Sequence, residues 1–289
     1  MDVFNQILEY EFMQNAFWAA LFTSISCGLI GTYVVSKRIV FISGGITHTS
    51  FGGIGIGYFL GINPLLGATV FAVLSALGIE YFTRKSEIRH DSMIGIFWSF
   101  GMAVGIIFIF LTPGYAPNLM SYLFGSILTV SSQDVLWMFL LSVAVTALFV
   151  LLYKPVLYIA FDETYASTRK LPVGLIKNIL MVMVALTIVL SIRVIGIILL
   201  ISLLTIPQTI ANLFTKKFHK ILIFSVVIAL AGAISGLFFS YHLDIPSGAS
   251  IIFSLILLFL LARSFKAIYL RLYSLQSHRK PEQNHHKVS

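Results

Sequence analysis

The chain has 289 residues, 58% hydrophobic and 10% charged, with a mean hydropathy of +0.96 and a formal net charge of +8. One soluble core of this length cannot hide so much apolar surface, which excludes a water-soluble globular protein and implies a multi-pass membrane protein. The lone Cys27 lies in an apolar run and excludes an internal disulfide and a cysteine-built metal cage.

A transmembrane helix takes ~20 mostly apolar residues. The opening MDVFNQILEYEF lacks the basic segment of a signal peptide, so the first apolar run, about 14–36, is expected to stay as an anchor. The second, about 39–61, is poor helix material: FISGGITHTSFGGIGIGYFLGINP (41–64) holds seven glycines, a run of hydroxyls and His48. Gly53, Gly57 and Gly61 recur every four residues, which lines them on one helix face and lets another backbone come close. Gly44 and Gly45 precede His48 by about a turn, and Thr47, Thr49 and Ser50 flank it. Polar groups at membrane depth face protein or a water-filled path. His48 is therefore either a packed, hydrogen-bonded histidine or a ligand in a polar lane within a flexible span.

The next runs are about 64–82 and 92–111, the latter carrying Gly101 and Gly105 at the same spacing, with His90 and Asp91 placed to cap it. A short connection, LTPGYAPN at 111–118, leads on to a run at about 134–153 that opens with Asp134. The connection from Lys154 to Lys177 is longer. Within it Asp162, Glu163 and Thr164 offer N-cap and first-turn chemistry, TYASTRK can form about two turns, and Pro172 starts the next element. A short helix lying along the membrane face is expected there. The apolar stretch 176–214 would make a helix of ~58 Å at ~1.5 Å per residue, too long for one crossing. It reads as two spans, about 176–192 and 194–214, meeting near Arg193 and Gly196, or as a broken pair. Runs at about 221–241, with Gly232 and Gly236, and 247–264 complete the series; between them YHLDIPSG holds His242 and Asp244. The polar tail 276–289, with His278, His285 and His286, reads as disordered.

The expected fold is an all-α polytopic membrane protein of eight to nine transmembrane helices, one domain over 1–275 with a cytoplasmic segment at about 154–177. Eighteen of the nineteen Lys and Arg fall in alternate loops and the C-terminal tail, Arg193 being the exception, which puts the N-terminus outside and the C-terminus in the cytoplasm. Anionic lipid accounts for the positive charge, so no nucleic-acid partner is implied. The sequence contains no GxxxxGK[ST], HExxH, CxxC or GxSxG motif, so it offers no nucleotide cradle and no protease or hydrolase signature.

Five segments in order resemble the permease subunits of ABC importers for zinc, manganese or iron: ITHTSFGGIGIGYFLGINP, DSMIGIFWSFGMAVGI, NLMSYLFGSILTVSSQD, RVIGIILLISLLTIPQTIANL and YHLDIPSGASIIF. The resemblance covers nearly the whole chain. It implies a bacterial cytoplasmic-membrane protein working as a homodimer by alternating access, with a separate ATP-binding cassette ATPase and an extracytoplasmic metal-binding protein as partners. No permanent cofactor is implied, only a transported zinc, manganese or iron ion. The family's second-span motif pairs an Asp with a His one turn later, and here His48 matches while Gly44 stands at the Asp position. Ser99 and Ser126 likewise stand where a His and an Asp are common. His48 is thus the candidate transit ligand, and His242, Asp244 and Asp134 are candidates for a weak site at the outer mouth. The segment DETYASTRKLPVG corresponds to the coupling helix that docks on the ATPase, with Asp162, Glu163, Ala166, Arg169 and Lys170 as candidate contacts and Lys170 where a glycine is common.

The rival reading is a secondary, ion-coupled carrier, which would also use a glycine-broken helix and an intramembrane histidine. The acids cluster at the span ends, leaving no membrane-buried carboxylate to couple protons. A membrane enzyme with His48 as base lacks a nearby partner in sequence.

Overall fold

A computed structural model describes residues 10–85, 88–113 and 127–277. Ser126 and the tail histidines His278, His285 and His286 lie outside the described residues, as does the side chain of Arg193. The described regular elements are all helical: α1 (Glu11–Ser36), α2 (Val40–Phe59), α3 (Pro64–Lys85), α4 (His90–Leu111), a 3-10 turn (Ile127–Thr129), α5 (Ser132–Leu151), α6 (Tyr153–Phe161), α7 (Glu163–Thr168), α8 (Val173–Leu203), α9 (Ile206–Phe214), α10 (Phe218–Leu243) and α11 (Ser247–Ser277).

Seven stretches are long and apolar enough to cross a bilayer: α1, α3, α4, α5, Val173–Ile192 of α8, α10, and Ser247–Arg271 of α11. The helix missing from that set is α2. At 20 residues it is long enough, but its glycines and hydroxyls lower its hydropathy. It has less need of apolar surface because most of its residues are buried between α3, α4 and α8. On the other side of the bundle α1 packs against α5 and α10, α10 against α11, and α9 against both α10 and α11.

The glycines act mostly where the sequence places them. A Cβ on Gly53 would overlap the carbonyl of Gly67 in α3, and one on Gly57 would sit 2.8 Å from the Pro64 Cα. Gly101 and Gly105 abut the backbones of Thr49 and Phe51, and Gly236 abuts Ile251. Gly61 departs from the pattern. With φ +65° and open space around its Cβ position, it serves the turn between α2 and α3 rather than a packing face.

The expected flexible second span is an unbroken helix. The break falls in α8, where Gly196 has φ 76° and ψ 167°, a conformation open to glycine and strained for other residues. Beyond it lies a shorter apolar stretch, Leu199–Phe214, interrupted between α8 and α9. Gln208 of α9 ties this stretch to α1: it is fully buried, and its Nε2 donates to the Cys27 carbonyl at 2.9 Å and the Leu203 carbonyl at 3.2 Å.

Because two backbones touch at Gly53 and Gly67, Gly53→Ala is expected to destabilise the protein by about 1–3 kcal/mol, the usual cost of overpacking. Thermal unfolding in detergent measures this, with Gly44→Ala as a control whose Cβ would meet only a side-chain contact at 3.5 Å.

Candidate functional site

His48 sits on the face of α2 that meets α4. The two helices run in parallel register: Gly45 faces Ile94, His48 faces Trp98, Gly52 faces the Gly101 carbonyl, Gly55 faces Gly105, and Phe59 faces Phe108. On both helices the steps alternate between three and four residues, the repeat of a left-handed helix seam. At the His48 level the Trp98 indole stacks on the imidazole, with ring centroids 4.1 Å apart and planes 10° from parallel. The same indole covers Gly44, whose Cβ position is 3.5 Å from the ring. His48 is half-buried, and its ring makes no hydrogen bond among the described residues. Its position is therefore fixed by stacking, which leaves the ring nitrogens open to another partner.

The flanking hydroxyls do not build a polar lane. Thr47 donates to the Ser43 carbonyl at 2.5 Å, Ser50 to the Thr47 carbonyl at 2.6 Å, and Thr49 to the Gly45 carbonyl. All three are buried and satisfied by their own helix.

The outer-mouth candidates are dispersed. Asp134 forms a capping box at the start of α5, its Oδ2 accepting from the Ser131 hydroxyl at 2.6 Å while its backbone N–H donates back to that hydroxyl. His242, in the last turn of α10, uses Nδ1 on the Phe238 carbonyl at 3.0 Å and packs against the Phe238 ring. Asp244 is the exposed, left-handed C-cap of that helix. Among the described residues no three His, Cys, Asp or Glu side chains gather into a metal-sized group. His90 and Asp91 form the first turn of α4, and its N-cap, Arg89, makes no side-chain cap bond.

The short helix expected in the connection is α7. Asp162 caps it, accepting from the Tyr165 N–H at 3.0 Å, and Pro172 precedes α8. Its two faces differ. Ala166 is fully buried, and Glu163, partly exposed, pairs with Lys37 at 2.5 Å and Lys177 at 3.1 Å, so both hold the helix to the bundle. Partial burial would raise the Glu163 pKa, but the hydrogen bonds and charges of Lys37 and Lys177 outweigh it and hold the carboxyl below its ordinary range. Tyr165, Ser167, Thr168, Arg169 and Lys170 are exposed, and Arg169 bonds the Tyr165 hydroxyl through Nε at 3.2 Å. Lys170 has φ 56°, the left-handed conformation that closes α7 and for which glycine is the natural choice.

Near the end of one span a carboxylate is enclosed by protein. Glu80 in α3 is a buried carboxylate, 7% exposed, and it pairs with Lys177 at 2.6 Å.

The defining pattern of the ABC 3 transport family matches residues 9–266. The chain belongs to that family. It is 43% identical over 266 residues to an uncharacterized membrane protein of Synechocystis, covering 92% of this chain and 95% of that one. It is 34% identical over 263 residues to the manganese transport system membrane protein MntC of Halalkalibacterium halodurans, covering 91% and 90%. Among solved structures, PsaBC from Streptococcus pneumoniae in complex with Fab superposes with a TM-score of 0.80 at 28% identity, over 90% of this chain and 93% of that chain.

As a member of the ABC 3 transport family, the chain is a membrane transport subunit. Its departure at Gly44 has a visible counterpart, since Trp98 fills the space above that glycine. Gly44→Asp is therefore expected to be destabilising in the native background and better tolerated beside Trp98→Ala. In a double-mutant cycle on thermal stability the two changes should couple by about 1 kcal/mol or more, whereas additive effects would deny the contact. Lys170→Gly relieves a left-handed lysine and is expected to raise stability by up to about 1 kcal/mol; a fall would mean that the lysine side chain holds α7 in place.

Proposed function

We propose that this chain is the permease of an ATP-driven importer of zinc, manganese or iron, working by alternating access between two copies of itself. The ends of the helices carrying Lys37, Lys177 and α7 face the cytoplasm, a reading supported by the distribution of Lys and Arg. There the exposed side of α7, with Arg169 and Lys170 prominent, docks on an ATP-binding cassette ATPase. An extracytoplasmic binding protein delivers the ion at the opposite face, and His242 and Asp244 are the groups available to meet it there.

The observation that carries this reading is His48, an imidazole without a hydrogen bond among the described residues, held by Trp98 on the glycine seam of a transport-family member. Imidazole suits zinc, iron and other transition ions, while manganese accepts oxygen-rich surroundings. A transit site must bind weakly enough to release its ion, so one imidazole without a cage is compatible with passage.

The test is metal accumulation in a host lacking its own importers and expressing the chain with its ATPase and binding protein. One of manganese, zinc or iron should accumulate in an ATP-dependent way, and His48→Ala should lower uptake about tenfold, the factor that ~1.4 kcal/mol of lost binding produces. An assembled complex that accumulates none of the three would contradict the function, and undiminished uptake by His48→Ala would remove His48 from the path.

A further inference from the structure

At the end of the bundle that carries α7, two amines and two carboxylates from different elements meet. Lys177, in the second turn of α8, lies between Glu80 of α3 at 2.6 Å and Glu163 of α7 at 3.1 Å. The other oxygen of Glu163 meets Lys37, the C-cap of α1, at 2.5 Å, and Lys37 also donates to the Ile159 carbonyl of α6 at 3.2 Å. One ionic chain therefore holds the short helix to three long ones. Beside it the hydroxyl of Tyr33, one turn before the Lys37 that pairs with Glu163, is buried without a hydrogen-bond partner among the described residues.

Two physical facts give this arrangement a consequence. A buried ion pair is no better for stability than apolar packing, and its best-attested use is to fix a register or a switch. An unpaired buried hydroxyl is costly, and a nearby carboxylate is the acceptor that would satisfy it. The cluster thus holds one arrangement and offers the means for a second, in which a carboxylate leaves Lys177 and accepts a hydrogen bond from the Tyr33 hydroxyl. Lys177 of α8 bridges α7 and α3, so displacement of α7 strains its pairs with both. From α3 the displacement reaches α2 through the backbone contact of Gly67 with Gly53, and α2 carries His48.

We propose that the Lys37–Glu163–Lys177–Glu80 chain transmits movement of α7 to the His48 helix, with Tyr33 as the alternative partner of a carboxylate when the chain shifts. The inference rests on the reading of α7 as the ATPase-docking helix.

The test uses the complete complex, permease with ATPase and binding protein, in proteoliposomes supplied singly with manganese(II), zinc(II) and iron(II), and reads ATP hydrolysis and ion uptake together. Glu80→Gln should retain ATPase association and ATP hydrolysis but lower the ions carried per ATP about tenfold, within the range usual for coupling between sites. Tyr33→Phe should leave thermal stability equal or higher, since it deletes an unsatisfied hydroxyl, and should also lower ions per ATP. Native ions per ATP in an assembled Glu80→Gln complex would overturn the transmission, and the same result in Tyr33→Phe would overturn the second arrangement. If no ATPase co-purifies with the wild-type chain, the docking reading falls and the transmission with it.

Discussion

The close approach of α2 to α3 and α4 is the constraint on which the rest of the structure depends. Lipid tails are as apolar as leucine, so helices inside a bilayer gain little from burying hydrocarbon and are held by van der Waals packing and hydrogen bonds. That packing needs backbone-to-backbone contact, and glycine supplies it at Gly53 against Gly67 and at Gly55 against Gly105. With α2 enclosed in this way, its hydroxyls must find partners within their own helix, and Thr47, Thr49 and Ser50 do so. Its one imidazole has no such partner and stacks on Trp98. The low hydropathy of this span is thus a consequence of its burial between other helices.

Continuous and broken helix are separated in the molecule. The glycine seam is continuous, while non-helical backbone is concentrated at Gly196 of α8 and at the turn before α9. The first turns of α8 carry Lys177, which is ion-paired to both α3 and α7. One helix therefore joins the ion-paired segment α7 at one end to the broken backbone at the other. A transporter that alternates between two access states needs both properties, a fixed site and a helix able to change shape beside it.

Much of this was legible in the sequence. Hydropathy gave the helical class and most spans, because a long apolar helix is set by local composition. Capping chemistry gave α7, since Asp162 and Pro172 act on their immediate neighbours. What was missed depends on which side chains meet across helices. The stacking of Trp98 on His48 had a signal, because Ile94, Trp98, Gly101 and Gly105 form a stripe of four- and three-residue steps that matches Gly45, His48, Gly52 and Gly55. Reading glycines at four-residue intervals within one helix obscured it. Glu80 and Lys177 lie far apart in the chain, and nothing local marks them as a pair. The burial of Ala166 and the ion pairs of Glu163 depend on which face of α7 meets the bundle, which the resemblance does not say.

The central claim is that His48 binds the ion in transit. The most direct measurement is pulsed electron paramagnetic resonance of manganese(II) bound to the assembled complex, comparing the chain with its His48→Gln variant. The account predicts a histidine nitrogen coupling to the manganese that disappears in the variant. A nitrogen coupling that persists unchanged in His48→Gln, or manganese bound to the permease with oxygen ligands alone in the native chain, would contradict it.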